Sequence, residues 1–287
     1  MTYYDYSEDS SLHAVVCLDP RDPAGVARTS QAWLKQGWDG LFGEVSRAVA
    51  AKNPDVAASL IVCATERDPI RAVRRSDARW ATALNKIHEN PVLVQAAADA
   101  EEKKLSYAHV RLGVSRVLDN NPWVRLVTRA MLGTAFDPAV EYDRWVDFLA
   151  RVLADADPAY GEVSHDGGND SSTELDKALR RDRNVSVEQS RQLLRGYSWV
   201  TVVPQELVHR LGGADVIEAS GAVEEVRRLR AGGVLLRATR TPEEFDDAAM
   251  RRLFGLLAPV LPPGQPRDLP GWPTSHRVVY EDASIYH

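Results

Sequence analysis

The stretch from Leu193 to Leu261 constrains the chain more than any other. It opens with Leu193-Leu194-Arg195-Gly196-Tyr197-Ser198-Trp199-Val200-Thr201-Val202-Val203, where Tyr197, Trp199, Val200, Val202 and Val203 favour a pleated strand. Pro204 and Gly212 bracket a two-turn helix bearing Leu207, Val208 and Leu211. Gly221 to Arg230 fits neither a strand nor a helix period cleanly. Gly232-Gly233 then supplies a turn, and Val234 to Thr239 reads as a buried strand. Thr241-Pro242-Glu243-Glu244 is a capping box, followed by Phe245, Ala249, Leu253, Leu256, Leu257 and Val260 on one helical face. Strands and helices alternating over so short a length need a sheet with helices laid on it.

The rest of the chain extends that pattern. His13 to Leu18 reads as a buried strand stopped by Asp19-Pro20-Arg21-Asp22-Pro23. Helices are expected over 24–35 and 40–51, a strand over 57–65, and helices over 76–87 and 92–104. Ser106 to Leu118 alternates, Asp119-Asn120-Asn121-Pro122 signals a turn, and Trp123 to Met131 returns as a hairpin partner. Asp137-Pro138 opens a helix with Tyr142, Trp145, Phe148, Leu149, Val152 and Leu153 in one stripe. A short strand follows at 159–164, an amphipathic or irregular segment at 173–191, and a last edge strand is expected at 277–281. The expected fold is α+β, with a mixed or mainly antiparallel sheet and helices packed largely on one face. The expected division is a mobile tail at 1–11, an N-terminal half at 12–155 and a C-terminal half at 156–287, compatible with one continuous domain.

Composition excludes several classes. A 287-residue chain with 44% apolar and 26% charged residues can bury a sizeable core. Its net charge of -6 is no footprint for nucleic acid, and it suits a basic protein partner or plain solubility. No run approaches the length of a membrane span, and Met1 to Ser11 lacks the charged and apolar regions of a signal peptide. Cys17 and Cys63 each end an apolar run and form no ligand pair, which points to buried reduced thiols in the cytoplasm. The preference for arginine over lysine, with abundant alanine, matches a GC-rich genome.

Catalytic and cofactor signatures are missing from the sequence. There is no phosphate loop, no dinucleotide fingerprint and no zinc-ligand spacing, so neither cofactor nor metal is expected. Gly196-Tyr197-Ser198-Trp199 precedes or enters a strand, whereas a nucleophile serine sits on the turn after one. His165, Asp166 and Asp170, with Tyr160 or Glu162 nearby, form the one place where a hydrolase or other enzyme site could sit; solubility and turn formation explain the same loop. Arg71, Arg74, Arg75 and Arg79 make a basic patch whose alternatives are a solvated face and an anion site. Glu243, Glu244, Asp246 and Asp247 suit a helix start, and they could also form an acidic contact patch. Trp272, in a Pro/Gly loop, could anchor an interface or fold onto the core.

Leu194-Arg195-Gly196-Tyr197-Ser198-Trp199, Arg210-Leu211-Gly212-Gly213, Gly232-Gly233-Val234-Leu235-Leu236 and Thr241-Pro242-Glu243-Glu244 resemble the C-terminal half of immunity-52-type bacterial immunity proteins. Asp157-Pro158-Ala159-Tyr160-Gly161-Glu162 resembles that family's mid-chain element. The likeness covers roughly residues 137–282 and rests on structural rather than catalytic motifs. It implies a cytoplasmic protein of the polymorphic-toxin and type VI secretion world that binds and blocks a cognate toxin. Candidate partner-binding residues are Glu243, Glu244, Asp246, Asp247, Tyr160, Glu162, Asp166 and Trp272, with no catalytic residues. The alternatives are an enzyme using the 160–170 loop, or a regulatory or structural module.

Overall fold

A computed structural model describes residues 11–100, 104–116, 122–165, 172–268 and 277–287. They fall into two compact units. The first runs to Leu153 and takes in His165; the second comprises Ala154–Ser164 and the described residues from Ser172 onward.

In the first unit the strands are β1 (Ser11–Leu18), β2 (Val56–Cys63), β3 (Val73–Arg74), β4 (Leu93–Ala100), β5 (Tyr107–Arg116) and β6 (Val124–Leu132). Their order is β3-β2-β4-β5-β6-β1, every neighbouring pair antiparallel. β1 is buried along its whole length, the polar Ser11 and His13 included, ahead of its apolar run from Ala14 to Leu18. Helix α1 (Pro23–Gln36) starts where Asp22 accepts a hydrogen bond from the Gly25 amide at 2.9 Å, with Pro23 at the first helical position. α1 buries Trp33, whose Nε1–H donates to the Val127 carbonyl at 3.1 Å and whose ring meets Phe148 at 4.9 Å. Truncating such a side chain costs about 3–5 kcal/mol. Phe148 belongs to α4 (Pro138–Leu153), which buries the expected stripe from Tyr142 to Leu153. A π-turn at Gly37–Leu41 separates α1 from α2 (Gly43–Ala50), and Ser76 caps α3 (Asp77–Lys86).

β4 corrects the sequence reading. Alanine-rich 92–104 suggests a helix by propensity, yet Leu93–Ala100 is a strand with alternating burial. It lies between β2 and β5, and its ladders pair Ala96 with Leu60 and Leu112. Small side chains suit a position with strands on both sides, and that setting overrides propensity. Of the basic patch, Arg71, Arg74 and Arg79 are exposed, while the Arg75 guanidinium lies 4.6 Å from the Trp38 ring and 5.2 Å from Trp80.

In the second unit β7 (Tyr160–Ser164), β8 (Val200–Val203), β9 (Glu225–Arg228) and β10 (Val234–Arg237) follow the order β7-β8-β10-β9, again antiparallel. Five helices accompany them: α5 (Glu174–Ala178), α6 (Arg183–Glu188), α7 (Gln205–Arg210), α8 (Ala214–Ala219) and α9 (Asp247–Leu257). Gly212 and Gly232 have φ of 88° and 93°, as their turn and cap roles require. The strand is shorter than the β-preferring run implies. Leu193–Trp199 stays irregular because its polar groups are satisfied elsewhere: the Leu194 amide donates to the Val260 carbonyl at 2.7 Å, and Trp199 Nε1–H to Thr239 at 2.9 Å. The strand expected at 277–281 does not form; the Val279 amide donates to the Tyr197 hydroxyl at 2.7 Å instead of to a ladder. Both cysteines are buried thiols outside any disulfide. No helix of the described residues is long and apolar enough to cross a membrane.

Candidate functional site

The two sequence motifs Tyr160-Gly161-Glu162 and Arg195-Gly196-Tyr197 meet in the second unit around a carboxylate that the sequence alone does not single out, Asp176. Thr173 and Asp176 form a reciprocal capping box that starts α5, and the Thr173 hydroxyl donates to the Arg195 carbonyl at 2.8 Å. Asp176 is fully buried. It accepts from Arg195 Nη2 at 2.9 Å, Arg181 Nη1 at 3.2 Å and the Ser186 hydroxyl at 2.5 Å. Arg195 is also buried, with its guanidinium 5.5 Å from the centre of the Tyr160 ring. The Tyr160 hydroxyl donates to Glu162 at 2.7 Å, and burial, with the Glu162 charge beside it, pushes the phenol well above its ordinary pKa. Gly196 makes a close approach here: a β-carbon would lie 3.0 Å from Thr173 and 3.3 Å from the Tyr160 hydroxyl, so these neighbours would have to shift. The sequence signals that could have found this network are the T-x-x-D pattern at Thr173–Asp176, which the sequence reading did not take as a cap, and the glycine at 196; the spacing of Arg181 and Arg195 carries no hint that they share one carboxylate.

This network bears on two sequence-level candidates. Tyr160 is fully buried, and its hydroxyl is engaged by Glu162, so it offers no surface to a partner and holds its proton far into the alkaline range. Glu162 is partly exposed. His165 belongs to the first unit, where it is buried with Nε2 3.4 Å from the Tyr142 hydroxyl. Asp166, Asp170 and Trp272 lie outside the described residues. Among the described residues no group of three or more His, Cys, Asp or Glu side chains is placed to hold a metal ion.

The acidic helix start is more accessible. Glu243, Glu244, Asp246 and Asp247 are all exposed. The capping box does not launch one continuous helix as its sequence suggests. Thr241 and Glu244 close a 3₁₀ turn at Pro242–Glu244, Phe245 breaks the helical path, and Asp246 then caps α9 through the Ala249 amide at 2.9 Å. Glu244 reaches back to the Thr241 amide at 3.3 Å. Two of the four carboxylates are thereby fixed in place, and all four stand at the positive end of the α9 dipole. Glu244 and Asp246 also line a polar cleft of about 330 Å³ together with Glu224, Arg240 and Arg252. The arrangement is a charged, open surface in which caps hold two of the four carboxylates.

The fold is similar to that of the Pseudomonas aeruginosa T6SS protein PA0821, with a TM-score of 0.52, 12% sequence identity, and coverage of 96% of this chain and 81% of that one. At such identity the likeness is one of fold. No protein-family model matches the chain, and no curated protein matches it.

Proposed function

We propose that the chain is an immunity-type protein that binds a cognate bacterial toxin in the cytoplasm and neutralises it by occlusion. The observation that carries this reading is the fold likeness to a T6SS protein along nearly the whole chain. The sequence resemblance over residues 137–282 points the same way. The acidic start of α9 supplies a contact surface: four exposed carboxylates within five residues, two of them held by caps, complement a basic toxin face. Such a surface speeds association and selects partners by charge.

The test is co-expression with the product of a neighbouring toxin-like gene. A stable complex and protection of the producing cells are expected. Glu243→Lys with Asp247→Lys is expected to slow association about tenfold or more at low salt, leaving the fold intact because neither carboxylate makes the caps. Absence of both complex and protection refutes the proposal.

A further inference from the structure

We infer that the second unit carries a separate oxyanion-binding cleft, built on Arg180, Arg181 and Arg267, that receives carboxylate side chains of an acidic protein segment. The cleft has a volume of about 410 Å³, and among the described residues no aspartate or glutamate lines it. On a chain whose formal net charge is -6 it is lined by three arginines, of which Arg181 is paired with the buried Asp176.

The three arginines are brought together by backbone devices. Arg180 adopts φ of 53°, a conformation that residues with a β-carbon rarely take. It ends the α5 turn, with the Arg180 amide donating to the Lys177 carbonyl at 3.0 Å and the Arg181 amide to Asp176 at 2.8 Å. That left-handed residue lets two successive arginines line the same wall. Arg267 is pinned opposite by its amide, which donates to the Ala178 carbonyl at 2.9 Å. Arg181 is fixed further by Asp176, Ser186 and Gln189 at 3.2–3.3 Å. Arg180 and Arg267 are exposed and form no salt bridge with a described acidic side chain. Two arginines lining one cleft without a described carboxylate partner favour an anion there.

The lining also indicates which anion fits. The guanidinium fork matches a planar carboxylate or a phosphate with paired hydrogen bonds. Phosphate sites add a run of free backbone amides. Here the Gly264 amide already donates to Asp282 at 2.8 Å and the Arg267 amide to Ala178. Leu193, Pro262 and Pro263 supply apolar wall for the methylenes of a glutamate side chain. Carboxylates are therefore the assigned occupant.

The experiment titrates the full chain with acetylated tetraglutamate and, separately, with inorganic phosphate, following heat or amide chemical shifts. Saturable 1:1 binding of the peptide is expected, weakened about tenfold or more by Arg180→Ala with Arg267→Ala. Arg252→Ala, in the other cleft, is expected to leave it unchanged. Unaltered thermal melting of the double variant shows that folding is not the cause. Peptide binding that is absent, or equal in the double variant, overturns the inference. Phosphate binding more tightly than the peptide overturns the carboxylate assignment. None of these outcomes depends on the toxin reading, which is tested by complex formation and protection.

Discussion

Asp176→Ala removes a fully buried carboxylate that accepts from two guanidiniums, one hydroxyl and, at 3.4 Å, the Thr173 amide. Arg195 is almost as deeply buried, so losing this partner leaves a charge poorly compensated where water cannot reach it. Breaking such a pair from one side costs about 3–5 kcal/mol. Loss of the capping box at the start of α5 adds about 1 kcal/mol. The expected total, about 4–6 kcal/mol, is a large fraction of the roughly 5–15 kcal/mol that holds a typical protein folded. Because the chain has two units, a global unfolding signal would mix two transitions. The assay is therefore amide hydrogen exchange at Val200–Val203 of β8, followed across a urea series. With a urea dependence of about 2 kcal/mol per molar, the midpoint at these amides falls by about 2–3 M. Ser186→Ala, which removes one neutral donor to the same carboxylate, is expected to cost only about 1 kcal/mol. A midpoint shift under about 0.5 M for Asp176→Ala would show that the network is solvated or dispensable, and the account of why Arg195-Gly196-Tyr197 and Tyr160-Gly161-Glu162 meet would fail.

Further outcomes follow from the same geometry. Gly196→Ala forces a methyl against Thr173 and the Tyr160 hydroxyl and is expected to cost about 1–3 kcal/mol, read from the same β8 amides; a neutral result contradicts the close approach. Tyr107 and Tyr160 both have pKa values raised by burial, with a carboxylate adding to it, so the folded state keeps protons that the unfolded chain releases above about pH 10. Stability is intact below that pH and falls as pH rises towards the folded values. Phenolate absorbance from these two residues should appear together with loss of circular dichroism, and Tyr160→Phe should shallow the alkaline slope; their ionisation with the fold intact would refute this. Arg75→Ala removes a guanidinium packed on Trp38 and Trp80 and is expected to destabilise the first unit by about 1–3 kcal/mol, with Arg75→Lys recovering part, as measured by amide exchange in α3.

The elements legible in the sequence were those whose periodicity and end signals agreed. β1 is mostly an apolar run before a proline-rich stop, α1 and α4 carry Asp-Pro starts, and β5 alternates before a turn signal from which β6 returns. β4 was misread because Ala96, Ala97 and Ala98 favour helix locally, while pairing with β2 and β5 decides their state. α8 and β9 are short and weakly patterned, and α8 was not anticipated. The capping box at Thr241–Glu244 was read correctly as chemistry and incorrectly as the start of one helix, because the turn at Phe245 leaves no local mark. The candidate contact residues divide in the same manner. Surface placement of Glu243 to Asp247 follows from their charge, whereas the burial of Tyr160 depends on Arg195, Thr173 and Asp176 arriving from elsewhere in the chain. The arginine cleft could not be read at all, since Arg267 comes from a segment remote in sequence from Arg180 and Arg181.

β3 and β9 bear on how any partner can join the molecule. A bare strand edge invites another chain to extend the sheet through main-chain hydrogen bonds. β3 is only two residues long, and both are exposed. β9 is four residues long and carries Glu225, Arg227 and Arg228; Arg227 donates to Glu225 at 2.6 Å, and Arg228 is paired with Asp215 and Glu218 of α8. Neither strand offers a long apolar template. Strand addition and aggregation by edge-to-edge growth are disfavoured at both places, where an approaching chain meets side chains that present fixed charge.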